Sequence, residues 1–138
     1  MTDYLLMGRV VRHGLFGQPD AEDRASVAQA LARVGMADHA TAGLQTLSGG
    51  QRQLVMIAAA LVQAATVIVL DEPTAALDLK NQALVLCLLR SLRHEGRTIV
   101  VTTHDPNQAT LIADSVAILQ DQHLDQLATS DLTVTRLS

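Results

Sequence analysis

An α/β fold built on a parallel sheet is the architecture that these 138 residues predict, on three observations. Two β-branched runs, at residues 67–70 and 98–103, have strand length without polar alternation, the pattern of strands buried on both faces. A long helical segment separates them, which gives a crossover long enough for parallel pairing. Asp71-Glu72 and His104 stand directly after the two runs, where open α/β sheets bind their ligands.

The elements follow in order. Residues 1–19 are expected to be irregular, punctuated by Gly8, Gly14, Gly17 and Pro19, with a basic stretch over residues 9–13. Asp20, with Asp23 three residues on, marks a helix start, and Gly35 marks its stop. Val27, Ala30, Leu31 and Val34 recur at the spacing of one buried helix face. Residues 36–47 read as a loop with one short turn. Ser48-Gly49-Gly50 leads into an apolar helix that runs to Ala64. The strand at residues 67–70 ends at Asp71-Glu72-Pro73. Asp78 can cap a long helix over residues 79–95, closed by Gly96. The second strand ends at His104-Asp105-Pro106, a short helix covers residues 107–113, and a third strand covers 115–119. The polar tail from Gln120 has no clear pattern.

Composition excludes several functions. Ten basic against fourteen acidic residues leave a net charge of −4, which does not suit a general nucleic-acid binder. Tyr4 and Phe16 are the only aromatic residues, too few to stack single-stranded bases. The longest apolar run, residues 54–62, is far short of the about 20 needed to span a bilayer, and the first residues do not show the basic-then-apolar pattern expected of a signal peptide. Cys87 is the single cysteine, so neither an internal disulfide nor a cysteine-based zinc site can form. It is expected to be a buried small hydrophobe. The five histidines are scattered, with no i, i+4 pair on a helix.

Four segments carry candidate chemistry. Asp71 and Glu72 hold two carboxylates at the tip of an apolar strand, which is costly unless a cation or proton is shared. Magnesium bound to nucleotide phosphates would accept Asp71, and Glu72, pointing elsewhere, could orient or deprotonate a water. The competing reading is a capped strand end with Asp-Glu-Pro as turn chemistry. Ser48, Gly49, Gly50 and Gln51 start a helix whose unpaired N–H groups attract anions, or form a plain serine cap with flexible glycines. His104 could donate to a phosphate oxygen, or be a loop residue bonded to backbone. Ala75-Ala76-Leu77-Asp78 reads as a tight loop plus cap.

Together and in this order, Leu-Ser-Gly-Gly-Gln, apolar-Asp-Glu-Pro, Ala-Leu-Asp and His resemble the ATPase subunit of ATP-binding cassette (ABC) transporters, over nearly the whole chain to about residue 120. The resemblance implies a P-loop NTPase (RecA-like) core with the ABC helical subdomain. The subdomain would occupy about residues 1–64 and part of the core about 65–120, with a tail at 121–138. It implies that residues 47–51 are the signature motif, whose Ser48, Gly49, Gly50 and Gln51 contact the γ-phosphate of ATP held by the opposite subunit. Asp71 would serve Mg2+, Glu72 would be the catalytic base and His104 the switch histidine. Asp78 would belong to the D-loop at the dimer interface.

The implied partners are a second ATPase subunit in a head-to-tail dimer, transmembrane permease subunits and, indirectly, a solute-binding protein, with no nucleic acid. The implied location is cytoplasmic, peripheral on the inner face of the cell membrane. Leu6-Met7-Gly8-Arg9, residues 50–55, Leu77-Asp78 with Asn81-Gln82, and residues 103–108 are similar to importers of iron chelates, cobalamin and molybdate.

Three departures qualify the resemblance. No Gly-x-x-x-x-Gly-Lys-Ser/Thr loop, the Walker A motif, occurs in the chain, so the cradle for the subunit's own ATP phosphates is missing. The strand before it, the glutamine loop and the adenine-stacking aromatic, all upstream in the family, are missing too. The expectation is therefore the carboxyl-terminal part of a subunit, with one strand edge left open and prone to association. Ala58-Ala59-Ala60-Leu61 stands where the family often has Ala-Arg-Ala-Leu, and Gln120-Asp121-Gln122-His123 replaces the usual Asp-Gly turn. Two rivals follow. One is a catalytically incompetent fragment or interaction module that supplies only the signature motif. The other is a soluble non-transport ABC ATPase acting in DNA repair or translation.

Overall fold

The computed structural model describes residues 1–9, 18–120 and 122–131. It forms two compact units, residues 1–102 and residues 103–138.

The first unit begins with helix α1 (Thr2–Met7), where an irregular segment was expected. Long-range ties explain the difference. The Met1 amino group donates to the Ala42 carbonyl at 2.9 Å, and the Thr2 hydroxyl donates to the Ala40 carbonyl at 2.9 Å. Leu5 and Leu6 are buried, which anchors the short helix by packing rather than by propensity. Of the basic stretch, Arg9 is buried and residues 10–13 lie outside the described residues.

Helix α2 (Ala21–Arg33) starts at Asp20 with a reciprocal cap and buries Val27, Ala30 and Leu31 as the spacing predicts. Gly35 follows with φ +70°, the left-handed conformation that lets a chain leave a helix and that side chains disfavour. Two 3-10 turns, Ala37–His39 and Leu44–Thr46, occupy the segment expected to hold one. Helix α3 (Gly49–Val62) buries Leu54, Val55, Ile57, Ala58, Leu61 and Val62. Helices α1, α2 and α3 pack on one another and form the best-buried region of the unit.

Strand β1 (Val67–Asp71) pairs in parallel with β2 (Thr98–Thr102), in register from Val67 opposite Thr98 to Asp71 opposite Thr102. Between them runs α4 (Leu79–His94), which packs on β2 and buries Val85, Leu88, Leu89 and Leu92. Two expectations fail here. The strands are not buried on both faces: Ile68 is 4% exposed, but Val67 is 53%, Val69 69% and Val100 48% exposed. In the described residues one face of each strand is covered and the other is not, and a strand's own sequence does not encode its cover. Cys87 is exposed, not buried. The buried stripe of α4 repeats at 85, 88, 89 and 92, and residue 87 falls on the opposite side of the helix.

In the second unit α5 (Pro106–Ile112) precedes β3 (Ser115–Gln120). Among the described residues β3 has no parallel partner. It pairs antiparallel with β4 (His123–Ala128), a strand in the tail that the sequence left unassigned. Gln122, just before β4, takes φ +66°, a left-handed conformation that glycine adopts more readily. A last 3-10 turn, Thr129–Asp131, is tied back by the Thr129 hydroxyl, which donates to Ala113 at 2.8 Å. No helix among the described residues is long and apolar enough to cross a membrane.

Candidate functional site

The strand-end site is built by register. Because Asp71 lies opposite Thr102, the Thr102 hydroxyl reaches both acidic residues. It donates to Asp71 Oδ1 and accepts the backbone N–H of Glu72 at 3.1 Å. The same Glu72 N–H points at the Thr102 carbonyl at 3.2 Å, so the chain beyond β1 is held by two acceptors on one residue. Glu72 itself has φ +44°, a conformation that costs a residue with a Cβ about 1–2 kcal/mol. The left-handed turn ends β1 at this residue. Pro73 and Thr74 are buried behind it and fix the turn.

The Asp71 carboxylate is exposed, so its second oxygen is available to a hard cation. No three His, Cys, Asp or Glu side chains gather into a metal-binding group among the described residues. An ion here would rest on one protein carboxylate and take its other ligands from phosphate and water, the usual condition of Mg2+ at a nucleotide. The donor set fits that ion.

The helix-start site is built by a cap. Ser48 is the N-cap of α3: its hydroxyl accepts the Gln51 N–H at 3.2 Å, and the Ser48 N–H donates to Gln51 Oε1 at 2.9 Å. Ser48 and Gly49 are exposed. The two glycines are not equivalent. A Cβ on Gly50 would lie 2.9 Å from the Ala76 carbonyl oxygen, so the fold itself requires glycine there. A Cβ on Gly49 would meet nothing within 4 Å. The absent side chain at 49 leaves an open approach to the first turn of the helix.

Asp78 lies on the same loop that touches Gly50, and its carboxylate caps α4 by accepting the Asn81 N–H at 2.8 Å. Gln82 reaches back to the carbonyls of Leu77 at 3.0 Å and Thr74 at 3.4 Å and holds the loop's shape. His104 belongs to the second unit, exposed, just before Asp105, the cap of α5.

The structure thus groups Asp71, Glu72 and Thr102 at one place, and Gly50 with the Ala76 loop at another. Thr102 and His39, whose ring touches Gln51, escaped the sequence reading, and Gln82 entered it only as part of the importer-like pattern. Thr102 had a signal, as the residue of β2 that the parallel register sets beside Asp71. His39 had none, since it lies twelve residues from Gln51 in a loop.

These features define an α/β protein of the ABC ATPase fold within the P-loop NTPase class. Residues 4–75 match the ABC transporter family, and the chain belongs to that family. It is similar to the molybdate import ATP-binding protein MolC of Haemophilus influenzae, 43% identical over 89% of this chain and 49% of that one. A solved metal-chelate type ABC transporter in an inward-facing conformation superposes with a TM-score of 0.88 at 40% identity, covering 99% of this chain and 56% of that one. A dimeric ATP-binding cassette bound to ADP and Pi after hydrolysis gives 0.78 at 28% identity, covering 93% and 56%. The chain spans about half the length of the curated relatives it matches.

Proposed function

We propose that these residues serve an ATP-hydrolysing subunit of an ABC importer, which couples hydrolysis to uptake of a metal chelate, cobalamin or an oxyanion such as molybdate. The observation that carries the reading is the contrast between Gly50 and Gly49. The fold accounts for the first, whereas nothing within 4 Å of a Cβ accounts for the second, and an open approach for a ligand is the reading that we favour. The names of the relatives support the importer class.

In this reading residues 1–64 act as the helical subdomain and 65–120 as part of the RecA-like core. Ser48, Gly49, Gly50 and Gln51 contact the γ-phosphate of ATP held by a second subunit, docked head to tail. Asp71 would hold Mg2+, which supplies charge neutralisation of the phosphates. Thr102 keeps Asp71 oriented by donating to it. Glu72 takes the proton of the attacking water at its carboxylate. Asp78 holds the loop at the dimer interface and His104 senses the γ-phosphate. The other partners are membrane permease subunits and, through them, a solute-binding protein. The location is cytoplasmic, on the inner face of the cell membrane.

Glu72→Gln in the natural full-length protein tests the chemistry. It should still bind ATP and trap the closed dimer, while Mg2+-dependent hydrolysis falls by about 100-fold or more. Undiminished turnover would remove Glu72 from the role of base.

A further inference from the structure

Behind the Ser48 turn lies an imidazole. Gln51 Nε2 is 3.1 Å from His39 Nε2, and the direction of that bond is fixed from the other end of the amide. The Ser48 N–H donates to Gln51 Oε1 at 2.9 Å, and a backbone N–H can only donate. The amide oxygen of Gln51 therefore faces Ser48, and its NH2 group faces His39. His39 Nε2 must then accept, which it can do only without a proton. The proton of the neutral ring is left on Nδ1. That atom is buried and has no hydrogen-bond partner among the described residues. A buried donor without an acceptor is unfavourable and needs a compensating reason. Keeping Gln51 in place supplies one.

We propose that His39 is a positioning residue for the Ser48–Gln51 turn. It is the acceptor that locks the Gln51 amide and, through it, the Ser48 backbone. The proposal rests on the reading of that turn as a phosphate contact. His39 ends the Ala37–His39 turn, which is well anchored. Buried Met36 precedes it, with its N–H on the Leu31 carbonyl at 2.8 Å, and the carbonyls of Ala40 and Ala42 hold the start of α1. The ring is a fixed post between the packed helices and an exposed turn. Without it the amide rotates and the Ser48 N–H loses its acceptor. The other half of the cap, Gln51 N–H to the Ser48 hydroxyl, does not depend on the ring. Helix α3 should therefore survive while the turn loses precision.

Long-range proton–nitrogen NMR on the natural full-length protein reads the tautomer directly. The proton of His39 should be on Nδ1, and a proton on Nε2 overturns the proposal whatever the turn does. In the same protein, His39→Leu keeps bulk without an acceptor and His39→Gln keeps an acceptor. His39→Leu should lower kcat for ATP about fivefold, the worth of one neutral hydrogen bond, with KM unchanged. His39→Gln should recover most of the loss. Equal losses in both variants mark a merely structural role and overturn the proposal. Wild-type kcat in His39→Leu beside an impaired Ser48→Ala overturns it at His39 alone. Wild-type kcat in Ser48→Ala as well removes the phosphate contact, and the positioning role with it. If His39→Leu does not fold, the tautomer and the activity of His39→Gln decide.

Discussion

At Asp20 and at Ser48 the chain starts a helix with the same pair of hydrogen bonds. In each, the cap side chain accepts the N–H of the third helical residue, and that residue's side chain accepts the N–H of the cap. The surroundings differ. Asp23, the third residue at the first start, is 1% exposed, and its second oxygen pairs with Arg9 Nε at 2.8 Å. Arg9 is 5% exposed and also donates to the Val62 carbonyl at 3.2 Å, so this cap joins α2, α3 and the end of α1. At the second start, Ser48 and Gly49 face solvent, and Gln51 spends its spare donor on His39. Identical local chemistry serves packing in one place and an open surface in the other. Burial and the residue after the cap, alanine or glycine, tell the two apart.

The largest test of that contrast is Asp23→Ala. It removes the buried carboxylate from Arg9, which keeps only the exposed Glu22 at 3.6 Å and the Val62 carbonyl, and the loss in unfolding free energy should be about 3 kcal/mol. Its counterpart Gln51→Ala should cost about 1 kcal/mol or less by the same denaturant titration. Equal costs would erase the distinction.

Next come the glycines. Gly50→Ala should destabilise by about 1–3 kcal/mol, because the Ala76 carbonyl must give way. Gly49→Ala should leave the unfolding midpoint unchanged or slightly raised, since alanine is the better helix former. On the proposed function its turnover should nevertheless fall. A stable Gly50→Ala variant would break the comparison.

The smallest effect sets an exposed ion pair beside the buried one. Arg33 Nη2 donates to Glu95 Oε1 at 2.6 Å, and this bond, more than the Ser91 hydroxyl, holds the Glu95 carboxyl below its usual range. A depressed carboxylate contributes stability at neutral pH and loses it as pH falls through the folded value. Glu95 is 41% exposed, so screening keeps the pair at no more than about 1 kcal/mol. The stability gap between wild type and Glu95→Gln should be small at pH 7 and vanish in acid. A gap that grows on acidification would contradict the assignment.

What could be read from the sequence was local. The Asp20 cap, the Val27 to Val34 stripe, the exit at Gly35 and the Asp78 cap each depend on residues within one or two turns. The pairing of β1 with β2 followed from two apolar runs and a crossover. Helix α1 was hidden because it is held by carbonyls about forty residues away. The exposure of Val67 and Val69 depends on what covers the sheet, which no strand specifies. Cys87 differs, because the helical spacing of Val85, Leu88, Leu89 and Leu92 already sets residue 87 on the outer face of α4 despite the apolar run around it. The candidate site's residue types were visible through their motifs. Thr102 and His39 required register and tertiary contact, and neither is written in spacing.

The positive φ of Glu72 has an evolutionary corollary. Glycine would adopt that conformation without penalty, so Glu72→Gly would relieve the backbone as it deletes the carboxylate. Selection for thermal robustness alone would favour glycine at this position, so on the proposed function the glutamate trades endurance for work.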